Sequence, residues 1–525
     1  QQFHAAVKDR TKWTPLALRG FATVRLMRSV AARMDKVGAK HLADFFYTNI
    51  MVTVDDMHYG PFYDGVDCGT DVGDVTCGVN YGASSLSVWT LSRVAAPALP
   101  VFCFTGEFGT DGRKDHLVSV QVLSAKHYGT DGDSRSWSLL NAGLRASLLS
   151  RNYLVSDGVR VRIIEVEAHA SVFAMEVEDA VRVHKNLLTV LSFYGDDQVR
   201  YAMPALVKHG LVSFAPFTAS SLIRRWSPNL YFVRADPLSE LVTLLRYSVN
   251  RLRVRRLGFM YLQDVGFGDP EYQLAMKLMT QMSSEPCGVF TLKSSVTGAA
   301  DDAVFKDVWE KFANTLPQAV IVFGAPVNDT AKFVRNMLTD GRTRQAHLLG
   351  PYALQETLLS TWRQAVSSGV PFKSGQVITT GTNPLAKDKD YEAIKRFQRD
   401  MKRYLRVNKD DFNTTDHFLN NDNDGELMVA GWIAGEVFSQ ALSNRNDLKD
   451  RETFRRSLFN QRRYVVDDLV IGDFGGECRG AAVSQRATCR CNQGGRTVYM
   501  KRFVEGYRAE VVKDGLLTYS ASQCY

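Results

Sequence analysis

Leu117-Val118-Ser119-Val120-Gln121-Val122-Leu123 alternates as a buried strand does, and Ser136 to Leu149 then places Trp137, Leu140, Leu144 and Leu148 at helical spacing. Asp157-Gly158 turns into a second strand, Val159 to Val166, followed by a predicted helix over Val172 to Leu187. A short apolar run, Leu188 to Phe193, precedes a helix over Val199 to His209 and a strand over Leu211 to Ala215. Strands alternating with helices of this length predict a parallel sheet covered on both faces.

The rhythm restarts after Asp236-Pro237. Helices are expected over Leu238 to Asn250, Pro270 to Met282, Ala303 to Thr315, Thr330 to Leu338 and Leu354 to Ser367. Between them lie strands over Arg256 to Tyr261, Cys287 to Leu292, Ala319 to Phe323, His347 to Leu349 and Gln376 to Thr380. Helices over Tyr391 to Leu405 and Gly425 to Leu442 follow, separated by an Asn/Asp-rich loop. Two successive α/β blocks with return segments predict two lobes joined by crossovers. Ligands of open parallel sheets sit beyond the carboxyl ends of the strands. The loops there are Tyr194-Gly195-Asp196-Asp197, Phe217-Thr218-Ala219-Ser220-Ser221, Gly266-Phe267-Gly268-Asp269 and Gly324-Ala325-Pro326. Their small residues allow close backbone approach, and helix N-termini there can offer N–H groups to an anion.

A second pattern is a repeat. Val54-Asp55-Asp56-Met57, Gly60-Pro61-Phe62, Cys68 and Cys77-Gly78-Val79-Asn80-Tyr81-Gly82 occur in the same order as Val466-Asp467-Asp468-Leu469, Gly472-Asp473-Phe474, Cys478 and Cys489-Arg490-Cys491-Asn492-Gln493-Gly494. A helix-like run precedes each copy, Gly20 to Met34 and Gly425 to Leu442, and an alternating stretch closes each. An ordered series of this kind points to tandem duplication of one unit. The first copy has too few residues before it for a whole unit, so the chain is expected to begin partway through its first domain.

With 525 residues, two or more domains are expected. No run of 18 apolar residues occurs and no signal peptide opens the chain. The net charge of +8 is scattered; its densest cluster, Arg251, Arg253, Arg255 and Arg256, reads as a solvated helix end, and nucleic acid is not expected as a partner. Of eight cysteines, Cys68/Cys77 and Cys478/Cys489 recur in equivalent positions, which favours disulfides and an oxidising compartment. Cys489-x-Cys491 is too sparse for a structural zinc site. Asn328-Asp329-Thr330 and Asn413-Thr414-Thr415 are glycosylation sequons. HExxH, P-loop and G-x-S-x-G motifs are absent, and histidines such as His169 and His184 sit in ordinary strand and helix contexts.

Ala215 to Ser221, followed by Asn229-Leu230-Tyr231-Phe232-Val233-Arg234-Ala235, resembles the first-lobe exit of type I periplasmic binding proteins. Leu257-Gly258-Phe259-Met260-Tyr261 with Gly266 to Asp269 resembles the opening of their second lobe. Over nearly its full length the chain resembles the extracellular part of trypanosomatid receptor-type adenylate cyclases. Gly258 to Asp269, Pro317 to Thr330, Gln376 to Lys387, Tyr391 to Gln398 and the duplicated cysteine block carry that likeness.

The resemblance implies an α/β fold of two-lobed type I periplasmic-binding-protein (Venus flytrap) units, with parallel sheets flanked by helices, plus a partial preceding unit. Residues 1–116 are the expected remnant of a first unit and 117–475 a complete unit. Its lobe I would cover about 117–237 and 375–465, and lobe II about 238–374. Residues 476–525 would be a cysteine-containing membrane-proximal segment. Thr218, Ser220 and Ser221 are the expected ligand contacts of the first lobe, and Phe267, Gly324 and Pro326 those of the second. No anchor for an amino-acid zwitterion is evident, and Asp196-Asp197 would repel a carboxylate.

The implied function is ligand sensing and dimerisation outside the cell, for a single-pass receptor that makes cAMP from ATP through an intracellular domain missing from this chain. No cofactor is expected here; Mg and ATP belong to the cyclase domain, and a membrane helix beyond the C terminus would anchor the protein at the cell surface. The expected partners are a small-molecule or peptide ligand and a second copy. A helix over Val172 to Leu187, apolar on more than one face, is the expected pairing element. The rival is a flytrap-fold spacer or interaction protein that binds no small molecule.

Overall fold

In the computed structural model the strand Val118–His127 lies in a six-stranded sheet ordered Leu230–Tyr231, Ser213–Phe214, Leu187–Leu191, Val118–His127, Val159–Ala168 and Leu154–Val155. All neighbours are parallel except the last pair. The structure describes residues 2–31, 34, 38–46, 48–54, 57–63, 79–80, 85–86, 89–90, 93–94, 99–100, 118–127, 131–155, 159–296, 298–408, 412, 414–478, 483, 489–513 and 517–518. Leu187–Leu191 is buried at every position, as a central parallel strand should be. Helix Phe173–Val183 is shorter than its apolar pattern suggests. The N–H of His184 bonds Ala180 O and ends the helix, and Leu187 opens the strand instead. One face of this lobe carries Phe173–Val183 and Asp196–Lys208. The other carries Asp131–Ser150, Glu392–Val407 and Asp422–Ala441.

The second lobe is built on a sheet ordered Gly288–Lys293, Leu257–Gln263, Ala319–Val322, His347–Gly350, Val377–Gly381, Thr497–Val504 and Arg508–Val511. The first five strands are parallel and the last two run antiparallel. Val377–Gly381 and Thr497–Val504 are thus second-lobe strands. The chain passes between lobes three times, after Tyr231, after Gly381 and between Ile471 and Thr497.

Tight helix packing holds the first lobe together. A Cβ on Gly431 would lie 1.9 Å from Leu140 O, and one on Gly143 would lie 1.9 Å from Met428 O. Only glycine lets Asp131–Ser150 and Asp422–Ala441 approach this closely. Between these helices the buried Glu436 carboxylate accepts from Ser147 Oγ at 2.7 Å, Arg151 Nη1 at 2.6 Å and Arg396 Nη1 at 2.6 Å. Arg396 Nε bonds Asp467 at 2.7 Å. Burial alone would raise the Glu436 pKa, but Arg151 and Arg396 outweigh it and hold the carboxyl below its ordinary range.

The two repeat copies meet in one sheet. Leu469–Ile471, Arg463–Val466, Thr48–Val54, Met57–Tyr63 and Val79–Asn80 lie in that order, with Thr48–Val54 parallel to Arg463–Val466 and Thr53 opposite Val466. Each hairpin follows a helix, Ala39–Phe46 in one copy and Arg451–Asn460 in the other. The polar sequence of Arg451–Asn460 hides that helix from a periodicity reading, but Asp450 caps it by accepting from Thr453 N, and Phe454, Leu458 and Phe459 are buried. Val30, Phe45, Val52, Val54 and Val465 form a small core joining the copies.

Candidate functional site

The strand-end loops of the two lobes meet. Ser220 Oγ, from the loop after Ser213–Phe214, donates to Gly266 O at 2.6 Å, in the loop after Leu257–Gln263. Ala219 packs against the core of the second lobe. Phe217 stacks on Tyr194 at 5.8 Å and meets Tyr352 edge-on at 5.7 Å. The fully buried Glu271 of the second lobe accepts from the Gly268 amide at 3.0 Å; burial raises its pKa, and nearby Ser221 and the Gly268 amide draw it back. Three of the expected contacts, Ser220, Ser221 and Phe267, therefore lie at or beside the junction of the lobes. Phe267 is buried 5.4 Å from the ring of Phe323.

The other three are placed differently. Thr218 is buried, and its hydroxyl has no hydrogen-bond partner among the described residues; its carbonyl accepts from Arg234 Nη1 at 2.6 Å. Gly324 faces the second-lobe interior, where a Cβ would meet Thr330 Oγ1 at 2.6 Å. Pro326 is exposed. Asn328 is exposed at the first position of its helix, while Thr330 is buried and its hydroxyl donates to Ala325 O. Asn413 lies outside the described residues, as do Cys68 and Cys77. Cys478 and Cys489 form a disulfide, and Cys491 is disulfide-bonded as well.

Asp196 occupies the place an anion would take. Its carboxylate accepts from Ala219 N at 3.0 Å and Ser220 N at 3.2 Å. Burial raises its pKa, with the two amides and Arg234 pulling the other way. The carboxylate that the sequence suggests as a repellent thus uses the donors itself. Beside it, Ser192, Pro216, Phe217, Arg234, Thr382 and Asn383 line a cavity of about 30 Å³. That is room for one or two waters, far short of the several hundred Å³ of a small-molecule pocket.

The hinge is a buried polar network. Arg234 pairs with Glu240, whose other oxygen accepts from Tyr352 N at 3.0 Å and from the Thr380 hydroxyl. Lys501 pairs with Glu426 beneath the Tyr352 ring; burial pushes the Lys501 ammonium pKa down, and Asp422 and Glu240 oppose that. The repeat motif explains one tie. Asn492 Oδ1 accepts from Phe232 N at 3.0 Å and its Nδ2 donates to Leu230 O at 2.6 Å, satisfying backbone groups of the buried edge strand of the first-lobe sheet. Gly494, at φ +71°, brings its backbone so close to Arg234 O that a Cβ would stand 2.1 Å away. The C-x-x-N-x-G spacing is therefore a hinge clasp.

Two family models described as "Adenylate cyclase, periplasmic binding protein-like domain" match the chain, one over residues 239–381 and one over 1–104. Receptor-type adenylate cyclase ESAG 4 of Trypanosoma brucei brucei is 47% identical over 78% of this chain and 33% of its own length. Receptor-type adenylate cyclase B of Leishmania donovani is 28% identical over 77% of this chain and 33% of its own. The chain spans about a third of the length of these curated relatives. Among solved structures, an extracellular ligand-binding receptor from Verminephrobacter eiseniae superposes with a TM-score of 0.55 at 14% identity, covering 75% of this chain and all of that one. A substrate-binding periplasmic protein from Ralstonia solanacearum superposes at 0.53 with 18% identity, over 75% and 99% of the two chains. At such identities the superpositions establish the fold: one complete two-lobed unit accounts for three quarters of the chain. The chain belongs to the periplasmic binding protein-like portion of the trypanosomatid receptor-type adenylate cyclases.

Proposed function

We propose that this chain is the extracellular sensor of a receptor-type adenylate cyclase at the cell surface, a two-lobed clamp whose closure is passed to a cyclase domain that converts ATP to cAMP. The observation that carries this reading is the direct contact between lobes at their strand ends, Ser220 Oγ to Gly266 O at 2.6 Å. A ligand that favours one lobe arrangement shifts the population by its differential affinity, and lobe movement changes the geometry of a dimer. Homodimerisation through the first lobe is supported by apolar side chains left exposed on its outer helices, Met175 and Val183 on Phe173–Val183, and Tyr201 and Val207 on Asp196–Lys208. The test is thermal unfolding of the chain against a panel of metabolites and peptides. A ligand at a hundred times its Kd adds about 2.7 kcal/mol.

A second reading, a spacer or interaction protein that binds no small molecule, is favoured by Asp196 on the Ala219 and Ser220 amides and by the small cavity beside it. No stabilisation across the panel, with retained dimerisation, selects this reading.

A further inference from the structure

Arg251, Arg253, Arg255 and Arg256 are more than a solvated helix end. Arg251 caps helix Pro237–Asn250, and the other three lead into strand Leu257–Gln263 of the second-lobe sheet. All four are exposed. They stand at the amino end of that strand, opposite the loops that meet the first lobe.

Neighbouring strands bring further cations to the same edge. Arg344 precedes His347–Gly350 and Lys373 precedes Val377–Gly381, two and three strands along from Leu257–Gln263. At strand spacing the row is roughly 14 Å long. Hydrogen bonds between the strand approaches hold it in place. Gln318 Oε1 accepts from Arg255 N at 2.9 Å and Arg256 N at 3.1 Å. Gln376 Nε2 donates to Arg344 O at 2.8 Å, and Lys373 Nζ donates to Gln345 O at 2.7 Å.

The row has little negative charge to meet. Among the described residues Arg253, Arg255 and Arg344 make no ion pair. Arg342 takes up Asp340 at 2.6 Å and Glu310 at 2.8 Å. Glu285 and Glu505 stand only at the two ends, before Gly288–Lys293 and after Thr497–Val504. Arg253 also adopts φ +52°, a left-handed conformation that glycine takes freely and other side chains resist. A guanidinium is kept there against the local backbone preference.

We propose that this edge of the second lobe is a docking face for a sulfated polysaccharide, a linear chain whose repeated anions match a row of guanidinium groups. Other occupants fit less well. Met282 and Leu316 are exposed here, but they precede the strands on either side of Leu257–Gln263, too little for the apolar centre of a protein interface. Phe372, next to Lys373, stacks on Trp362 at 4.9 Å, so it is not an open ring for base stacking. Anionic lipid concentrates in the cytoplasmic leaflet, away from an extracellular domain. That last preference rests on the proposed location; the docking itself does not depend on a ligand in the cleft.

Calorimetry of the chain with a size-defined heparin fragment is the test. Binding should be saturable and should weaken as salt rises from about 50 to about 500 mM. Arg253→Ser/Arg255→Ser/Arg344→Ser should weaken it about tenfold or more. Lys185→Ser/Arg399→Ser/Arg406→Ser removes the same charge from exposed first-lobe sites and should change it by less than about twofold. Arg253→Gly should weaken binding yet leave the melting temperature unchanged or higher, a split that a purely structural role would not produce. Absence of saturable binding, equal losses in the two triple variants, or undiminished binding of heparin stripped of its sulfates would overturn the proposal. Binding to phosphatidylserine vesicles in place of heparin would overturn it too and would count against the extracellular location, which a missing heparin signal alone leaves standing.

Discussion

Glu436→Ala is the sharpest single perturbation of the first lobe. Glu436 is fully buried and holds Ser147, Arg151 and Arg396 together. Its removal leaves Arg396, itself only 3% exposed, with Asp467 as its remaining carboxylate, and opens a void between packed helices. Breaking a buried pair from one side costs about 3–5 kcal/mol, because a charge is left without compensation. At roughly 2 °C per kcal/mol for a large domain, the melting temperature should fall by about 6–10 °C. Chemical denaturation of the wild type, Glu436→Ala and Glu436→Gln measures this. Glu436→Gln should recover part of the loss, since its amide keeps the side-chain volume and an acceptor for Ser147 and Arg151. Glu436→Ala within about 1 kcal/mol of wild type would refute the reasoning.

Other outcomes follow from the same contacts. The folded Glu436 carboxyl titrates below its unfolded value, so its stabilising contribution is present above about pH 4.5 and is lost as pH falls through the folded value; Glu436→Gln should flatten that acid limb of the stability curve. Burial raises Asp447 to about 6, so wild-type stability should drop as pH rises from about 4 to about 6, and Asp447→Asn should abolish that drop. Gly431→Ala should cost about 3 kcal/mol, because its Cβ would strike the Leu140 carbonyl at 1.9 Å. Asn492→Ala should lower stability by about 1–3 kcal/mol in urea unfolding, having stripped Phe232 N and Leu230 O of their partner.

The alternation of strands and helices was legible because buried parallel strands are continuous apolar runs; Ala319–Val322 and Val377–Gly381 lie within a residue or so of their sequence reading. Arg451–Asn460 is hard to read from sequence because only three of its ten residues are buried and the other seven are all polar or charged. At the site, loop position was readable and side-chain occupancy was not. Ser220 and Gly266 could be placed at facing strand ends, but nothing in Asp196-Asp197 shows that one carboxylate turns back onto the Ala219 and Ser220 amides, a contact set by backbone geometry 23 residues away. The C-x-x-N-x-G motif was visible as a pattern, and its meaning as a clasp needed the neighbouring strand Leu230–Tyr231.

The two lobes clasp each other through the chain's own side chains. Pulsed electron-spin resonance between labels at Tyr201 on the first lobe and Val304 on the second, both exposed, tests it directly. The ligand-free wild type should give one narrow distance, and Asp196→Ala/Ser220→Ala should add a longer one. A broad or long distribution in the wild type, or no change in the double variant, would contradict the account.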